Sequence, residues 1–215
     1  MSRAQCSRCE RPLSHCLCAL IPQLPSRTRV LILQHPQESR HALNTARLAA
    51  LGLTNCKLHC AEHFDDLESL LSDARWHSCL LFPGEQSVPV AEFAADHADR
   101  PLQLVVPDGT WRKVRRLLHL NPLLMALPLV TLATLPPTRY RLRKAPMVDS
   151  LSTIEAITQA LEELEGAGRF SQLLKPFEAL IEGQIAAMGP ETYRRNHPQA
   201  EDDQPSARAL PRSEP

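Results

Sequence analysis

The chain has 215 residues, of which 43% are hydrophobic, and it carries 24 Lys and Arg against 24 Asp and Glu. This length accommodates one sizeable α/β domain with small appendages, and the apolar content is sufficient for a folded core. No stretch approaches the 18 or more apolar residues that a membrane helix needs, and the first residues are polar rather than signal-like. We therefore expect a cytoplasmic protein with no membrane partner.

The zero net charge hides three blocks of opposite sign. Residues 1–60 carry eight Lys and Arg against two Asp and Glu, residues 61–100 carry two against nine, and residues 101–150 carry eight against two. Two basic blocks therefore flank an acidic one. Because an anionic partner responds to local charge, the average does not argue against RNA as a ligand.

The chain begins with a cluster of four cysteines within CSRCERPLSHCLC. They are Cys6, Cys9, Cys16 and Cys18. Seven cysteines in all, an odd number, without a secretory signal favour thiolate ligands over disulfides. Each close pair brings two sulfurs to one tetrahedral ion, and four thiolates leave no open position, so we predict a structural zinc module over residues 1–28. Reduced surface cysteines or a redox pair are the alternatives, with His15 as a substitute ligand.

From Arg29 onward, short aliphatic runs alternate with helical patterns. The predicted strands are VLILQ at 30–34, CKLHC at 56–60, SCLLF at 78–82, LQLVV at 102–106 and LVTL at 129–132. Because these runs lack strict alternation, they suit strands that are buried on both faces. Residues 29–188 are therefore predicted to form an α/β domain, a mostly parallel sheet with helices on both faces.

The predicted helices lie between these strands and after the last of them. They cover 39–51, 65–76, 90–100, 110–119, 152–166 and 175–189, and Gly52 is the expected C-cap of the first. Residues 189–215 contain five prolines and many polar residues, so we predict a disordered tail there. Cys56, Cys60 and Cys79 lie in apolar runs and are predicted to be buried core thiols.

Ligands of parallel sheets bind beyond the carboxyl ends of the strands. The residues that follow the runs are therefore the site candidates. They are His35 with Glu38, Gly84 with Glu85, the turn DGTW at 108–111, and LPPTRYRLRKAP at 135–146. The histidine and glutamate of the first set carry the weakest signal, because a histidine at a strand end is usually structural.

The DGTW turn has two interpretations. Asp108 or Thr110 is an ordinary N-cap for the following helix, and Trp111 begins its apolar stripe. Alternatively, the position of the turn at the end of a central strand makes these residues catalytic candidates. A helix N-terminus lowers the pKa of a carboxyl group, so we expect a low pKa for Asp108, which would make it a poorer base.

The helix after this turn carries a basic face opposite its apolar stripe. Arg112, Arg115, Arg116 and His119 recur at helical spacing on that face. A solvated charged face is one explanation, and a surface that follows RNA phosphates is the other.

Further along, Arg139, Arg141 and Arg143 alternate, so in an extended segment they share one face. Neighbouring guanidinium groups repel one another, which favours an anionic partner such as a carboxylate or phosphate. A charged edge strand is the alternative.

The start of the next helix offers polar groups for capping. Asp149, Ser150 and Ser152 precede Ile154, and Glu155 lies in the first turn. A helix N-terminus at this place could also receive an anionic group of a ligand.

Five motifs in order, CSRCERPLSHCLC, HPQE, PDGTW, YRLRKAP and STIEA, closely resemble the DTW-domain proteins. The resemblance spans roughly residues 6–165. It implies transfer of the 3-amino-3-carboxypropyl group of S-adenosylmethionine to N3 of a tRNA uridine, with release of methylthioadenosine. It also implies a relation to the SPOUT superfamily, with a trefoil knot in the C-terminal half. Many knotted relatives dimerise through the knot, so a homodimer is a candidate assembly.

The resemblance assigns roles to residues of this chain. Asp108, with Thr110 and Trp111 beside it, is the candidate catalytic group, either as the base for the uridine or as an orienting residue. The donor would contact Tyr140, Arg141, Arg143, Ser152 and Glu155. The tRNA would contact Arg112, Lys113, Arg115, Arg116, Arg139 and Lys144.

The same residues are compatible with other classes of function. A non-catalytic zinc-containing RNA-binding protein would use the basic blocks without chemistry, and a SPOUT-type RNA methyltransferase would transfer the methyl group of the same donor. An oxidoreductase would use the cysteines and bind no zinc. The chain has no glycine-rich dinucleotide fingerprint, which argues against a nicotinamide enzyme.

Overall fold

A computed structural model of the chain describes residues 4–142 and 151–196. Six strands form one sheet in which all pairings are parallel. They are β1 (Arg29–Gln34), β2 (Cys56–Cys60), β3 (His77–Leu81), β4 (Val88–Pro89), β5 (Leu102–Asp108) and β6 (Leu129–Thr131). Their order across the sheet is β2-β1-β5-β3-β6-β4, so β2 and β4 are the edges.

Helices connect the strands and follow the last of them. They are α1 (Pro36–Ser39), α2 (Ala46–Gly52), α3 (Leu67–Leu71), α4 (Val90–Asp96), α5 (Trp111–Leu120), α6 (Thr153–Glu165), α7 (Lys175–Met188) and α8 (Pro190–Asn196). Short 3₁₀ helices lie at Leu13–His15, Pro122–Leu124 and Ser171–Leu174. None of the described helices is long and apolar enough to cross a membrane.

Helices cover both faces of the sheet, as the aliphatic runs predict. In β1, Val30 and Ile32 pack on one side with residues of α2, α4, α6 and α7. Leu31 and Leu33 pack on the other side with residues of α3 and α5. Successive strand residues point to opposite faces, so a strand between two helical layers needs apolar residues at every position. The predicted mostly parallel α/β fold is confirmed, and all five predicted strands are present.

The sixth strand, β4, was not predicted. It has only two residues, and one of them is a proline without an N–H donor for the ladder. Such a strand carries no periodicity that a sequence can show. Because the proline cannot donate to a neighbouring strand, β4 is suited to the edge of the sheet.

The boundaries of α2 and of the chain's last helix differ from the predictions. Gly52 is not the C-cap of α2 but its last residue, and it is buried. A Cβ at this position would lie 2.4 Å from Cδ1 of Leu173, so close packing explains the glycine. The predicted disordered tail begins at Gly189, whereas Pro190–Asn196 form helix α8. The remaining residues of that predicted tail, 197–215, lie outside the described part of the chain.

The three cysteines predicted to be buried differ from one another. Cys79 in the inner strand β3 is fully buried, whereas Cys56 is half-buried and Cys60 is exposed. For Cys60 the prediction was wrong, because β2 is an edge strand that is only partly covered.

The cysteine-rich N-terminus packs directly on the sheet domain. Cys9 and Ile21 belong to the same apolar cluster as one face of the sheet. Leu24 also exchanges backbone hydrogen bonds with Gly52 and Thr54. The division at residue 28 stays a prediction, but the two parts share one core.

Candidate active site

The carboxyl ends of β1 and β5 lie side by side at the centre of the sheet. Gln34, the last residue of β1, is in register with Asp108, the last residue of β5. From β1 the chain passes to β2 on one side, and from β5 it passes toward β6 on the other side. Such a reversal opens a crevice outside the strand ends, the usual ligand position in α/β sheets.

Asp108 is buried in this crevice and both of its carboxylate oxygens accept hydrogen bonds. Thr153 Oγ1 donates to Oδ1, and Gln34 Nε2 donates to Oδ2 at 2.8 Å. Asn44 joins the network, since Gln34 Nε2 also lies 3.1 Å from its Oδ1. The first residues of α6 and the last residues of β1 therefore fix the position of Asp108.

The electrostatics of Asp108 differ from the expectation. Burial raises the pKa of its carboxyl group, donation from Thr153 and Gln34 lowers it, and the nearby Glu38 carboxylate raises it, with a net rise. Proximity to a helix N-terminus does not dominate, because Thr110 and not Asp108 occupies the N-cap position of α5. A raised pKa makes the carboxylate a better base than we expected.

The other two residues of the turn have different surroundings. Thr110 makes no side-chain capping bond and lies at the surface of the turn. Trp111 is 37% exposed, and its ring packs edge-on against Phe82 with 5.8 Å between centroids. The indole therefore presents an accessible aromatic surface at the strand ends.

Two cavities lie on either side of this turn. The first, of about 290 Å³, is lined mainly by apolar residues of 81–83, 106–107 and 130–132, together with Trp111. The second, of about 300 Å³, is lined mainly by polar residues, including Glu38, Asn44, Asp108, Lys113 and Tyr140. We call them the apolar cavity and the polar cavity.

The two cavities meet at the DGTW turn. Gly109, Leu151 and Thr153 line both of them. A ligand with an apolar part and a charged part could extend from one cavity into the other past Asp108.

Carboxylates neutralise two of the four α5 cations that the resemblance assigns to tRNA. Lys113 Nζ lies 2.6 Å from Glu38 Oε1, and Arg116 Nη2 lies 3.1 Å from Glu62 Oε2. Arg112 and Arg115 are exposed and form no ion pair within the described residues. The assignment of these four cations to tRNA stays a prediction, and two of them are unpaired within the described residues.

His35 is buried, and each of its two ring nitrogens contacts another residue of the chain. Its Nδ1 accepts from the N–H of Gln37 at 3.3 Å, which caps α1, and its Nε2 lies 3.0 Å from Glu62. The histidine of the HPQE motif therefore supports the short helix α1, which carries Glu38 at the polar cavity.

The arginine segment has its anionic partners within the chain. Arg139 pairs with Glu178 and Arg141 pairs with Glu182, which lie one turn apart on α7. The ring of Tyr140 packs edge-on against Phe177 of the same helix, and Tyr140 also lines the polar cavity. The predicted roles of Arg139 and Arg141 toward ligands stay predictions, whereas Arg143 and Lys144 lie outside the described residues, as do Asp149 and Ser150.

Ser152 and Glu155 form the capping box of α6. The Glu155 carboxylate accepts from the N–H and the hydroxyl of Ser152, from the hydroxyl of Thr138 and from the N–H of Arg139. With four donors around it, this buried carboxylate fixes the arginine segment to the start of α6. Its predicted contact with the donor stays a prediction.

Three site residues were missed in the sequence: Gln34, Asn44 and Thr153. Gln34 had a detectable signal, because it is a polar residue that ends an otherwise apolar strand and directly precedes HPQE. Thr153 lies within the STIEA motif, but nothing in that motif relates it to Asp108, and Asn44 had no signal, since only the fold brings the two residues to Asp108.

The four N-terminal cysteines converge on one point. Their sulfur atoms all lie within 4.8 Å of one another, with 3.6 Å between Cys6 and Cys18 and 3.8 Å between Cys9 and Cys16. Tetrahedral zinc with Zn–S bonds of about 2.3 Å requires sulfurs roughly 3.8 Å apart. The donor set therefore fits zinc, and His15 is not part of it.

The fold and this crevice define an α/β protein with a two-part ligand site at a switch point of a parallel sheet and a four-cysteine centre beside it. A model of the DTW domain family matches residues 3–185. The chain belongs to the DTW domain family.

Several proteins that are similar to this chain are named for the same enzymatic activity. A Drosophila melanogaster protein named tRNA-uridine aminocarboxypropyltransferase 2 is 32% identical over 194 residues, which is 85% of this chain and 76% of that protein. The Macaca fascicularis protein of the same name is 32% identical over 85% of this chain, but the match spans only 64% of that protein. In Arabidopsis thaliana, tRNA-uridine aminocarboxypropyltransferase A is 29% identical, with 77% and 74% covered. No solved structure matches the chain.

Proposed function

We propose that this chain transfers the 3-amino-3-carboxypropyl group of S-adenosylmethionine to N3 of a uridine in tRNA and releases methylthioadenosine. The observation that supports this most is the match to the DTW model together with relatives named for this activity over most of the chain. The two cavities that meet at the DGTW turn offer space for a donor and an acceptor on either side of one carboxylate.

The donor occupies the apolar cavity with its adenosine and extends its charged arm toward the polar cavity. The strand-end loops around Phe82 and Trp111 supply apolar surface for the adenine ring. Lys113 and Glu38 in the polar cavity carry the charges that complement the carboxylate and the ammonium of the arm. The sulfonium activates three carbons, so the site selects the reaction by presenting one of them to the uridine.

The chemical step is a displacement at carbon. N3 of the uridine forms a bond to the arm carbon next to sulfur, and the carbon–sulfur bond breaks with its electron pair left on sulfur. Sulfur becomes a neutral thioether, and the N3 proton passes to the Asp108 carboxylate. Burial, which raises the pKa of Asp108, favours that transfer, because a base works best when its pKa approaches the working pH.

Several finer features belong to the same proposal. The four cysteines hold a structural zinc ion that braces the N-terminus against the sheet domain. The C-terminal half contains a SPOUT-like trefoil knot, and two chains form a homodimer through it. Arg112 and Arg115 contact tRNA from α5. The cytoplasmic location stays a prediction.

The experiment uses unmodified tRNA and two preparations of S-adenosylmethionine, labelled either in the aminocarboxypropyl arm or in the methyl group. The proposal predicts that label from the arm enters a uridine, with methylthioadenosine as the second product. Label that enters only from the methyl group would show an RNA methyltransferase. Binding of tRNA without entry of either label would show a non-catalytic RNA-binding protein.

A further inference from the structure

A third cavity, the largest of the three at about 850 Å³, lies between the cysteine module and the sheet domain. We call it the module cleft. Residues 9–17 of the cysteine cluster form one wall, residues 39–48 form a second, and residues 179–184 of α7 form the third. None of the predictions from the sequence used this space.

Cations dominate the lining of the module cleft. Arg11, Arg40 and Arg47 line it together with His15 and His41. Glu10 is the one acidic residue in that lining, and its carboxylate is already paired with Arg47 at 2.7 Å. The first basic block of the chain, residues 1–60, therefore concentrates three of its arginines in one concave surface. A concave cationic surface raises the local concentration of anions.

Two of these arginines contain donors without partners. The Nε atoms of Arg11 and Arg47 are buried and have no acceptor among residues 4–142 and 151–196. Buried N–H donors are nearly always satisfied, so an orphaned donor indicates a missing acceptor such as an anion oxygen. Arg40 is exposed, and its guanidinium forms no ion pair or hydrogen bond within the described residues.

The module cleft adjoins the polar cavity. His41 and Asn44 line both of them, so the segment that separates HPQE from α2 is their common wall. The same Asn44 belongs to the network that holds Asp108. A strand of nucleotides with one base in the polar cavity would therefore place neighbouring phosphates in the module cleft.

Helix α5 offers a second cationic surface, on which Arg112 and Arg115 are exposed and two other cations are neutralised. On α5, Lys113 and Arg116 are already paired with Glu38 and Glu62. A phosphate would have to displace a carboxylate from each of them. In the module cleft only Arg47 has such a partner, and the cleft shares a wall with the polar cavity, so its cations are concentrated beside the reaction centre.

We propose that the module cleft binds the backbone phosphates that flank the target uridine, with the Arg11, Arg40 and Arg47 guanidinium groups as the donors. This inference rests on the proposed function for the identity of the polyanion as tRNA. It assigns the cysteine module a direct part in RNA binding, because Arg11 lies between its second and third cysteines. A positively charged groove can follow the backbone of a single-stranded segment through its phosphates.

The test compares charge changes inside and outside the cleft. Arg40→Gln and Arg40→Glu remove or reverse a cleft charge that forms no ion pair or hydrogen bond within residues 4–142 and 151–196. Lys57→Gln and Lys57→Glu make equal charge changes at an exposed position on the edge strand β2 that lines none of the three cavities. Binding of unmodified tRNA is measured by fluorescence anisotropy over a range of salt concentrations, and donor binding is measured by calorimetry.

We expect Arg40→Gln to weaken tRNA binding about 3- to 10-fold, and Arg40→Glu to weaken it more. The slope of log K against log salt should fall by about 0.7 to 0.9 for each phosphate that the variant no longer binds. The Lys57 variants should stay within about twofold of the wild type. Donor affinity should remain unchanged in all four variants, and equal thermal unfolding midpoints would verify their folding.

If the wild type binds and modifies tRNA, and the Arg40 and Lys57 variants bind tRNA with equal affinity, the proposed role of the cleft is wrong and the proposed reaction stands. A wild type that binds tRNA through Arg40 but transfers no label would instead overturn the proposed reaction and leave the cleft standing. A wild type without any affinity for tRNA would overturn both.

Discussion

The carboxyl group of Asp108 is largely shielded from water, and two neutral donors replace only part of its hydration. A hydroxyl of Thr153 and an amide of Gln34 stabilise the charged form, but burial outweighs them and the pKa rises. The same two donors fix the direction of its lone pairs. At the residue scale, one side chain thus combines a raised pKa with a defined orientation.

Replacing Asp108 by asparagine tests its chemical role. Asp108→Asn keeps the size of the side chain and removes the base, so we expect transfer to fall by about 100-fold or more, the usual contribution of a general base. The measurement is the rate of label transfer to tRNA at saturating donor. Donor affinity should change little, and full activity would remove Asp108 from the mechanism.

The same variant should change how stability depends on pH. Because the pKa of Asp108 is raised in the folded state, its contribution to stability is fully present below the ordinary aspartate pKa. That contribution is lost as the pH rises through the folded-state value. The free energy of unfolding of Asp108→Asn should therefore improve relative to the wild type as pH rises through this window. Urea denaturation between about pH 4 and 8 measures it, and a constant difference would contradict the raised pKa.

At the scale of elements, α7 organises the arginine segment from outside. Glu178 and Glu182 lie four residues apart, so they present carboxylates on one face of the helix to two alternating arginines. Glu155 of α6 accepts a hydrogen bond from the backbone N–H of Arg139 at 2.6 Å. Contacts with two helices therefore fix this loop, and Tyr140 within it packs against Phe177 of α7.

A matched pair of variants separates two roles for Arg141. If Arg141 serves the loop through its pair with α7, Arg141→Ala and Glu182→Gln should have equal and small effects, each below about 1 kcal/mol in unfolding free energy, because both side chains are half exposed. Donor affinity should then also change equally in both. A loss of donor affinity in Arg141→Ala alone would show that the guanidinium binds the donor carboxylate.

Substitution by alanine should change the free energy of unfolding in opposite directions at two glycines that lie in helices. Gly52→Ala places a methyl group 2.4 Å from Cδ1 of the buried Leu173, and overpacking should cost about 1–3 kcal/mol of unfolding free energy. Gly183→Ala on the exposed side of α7 meets nothing within 4 Å, so better helix propensity should stabilise the protein by about 0.5–1 kcal/mol. Urea denaturation of both variants is the measurement. Equal effects would contradict the close packing of α2 against the 3₁₀ helix at Ser171–Leu174.

At the scale of the whole molecule, the cysteine module connects with the crevice through a short chain of contacts. Arg11 Nη1 donates to the carbonyl of Ala42 at 2.6 Å, and its Nη2 donates to the carbonyl of Asn44 at 3.1 Å. The Asn44 side chain then contacts Gln34, which donates to Asp108. The position of the module and the position of the carboxylate are therefore linked.

Removal of one cysteine sulfur tests both the metal and this linkage. Cys16→Ser should reduce the metal content from about one zinc per chain to near zero and lower the unfolding free energy by about 4 kcal/mol, as loss of a structural metal does. Cys60→Ser is the matched control, because that thiol is exposed and lies outside the cluster. Metal analysis and thermal unfolding provide the measurements. Unchanged zinc content in Cys16→Ser would contradict a four-cysteine site.

The sequence alone determined the architecture, because the patterns that indicate strands and helices lie within short stretches of the chain. Short, largely apolar runs predicted all five strands of more than two residues in the described part of the chain, and the spacing of four cysteines predicted that their sulfurs converge. The motifs in their order identified the family. Each of these signals arises from residues near one another in the chain, where periodicity and spacing are readable.

Only the tertiary structure decided which charges remain free and what surrounds Asp108. The partners of Lys113, Arg116 and Arg141 come from segments 41 to 75 residues away in the chain. One of the two side-chain donors to Asp108 is Thr153, which is separated from it by 45 residues. Electrostatic environments depend on distances in space, and sequence spacing does not report them. For that reason the sequence pointed to the DGTW turn but predicted the wrong direction for its pKa, and it gave no sign of the module cleft.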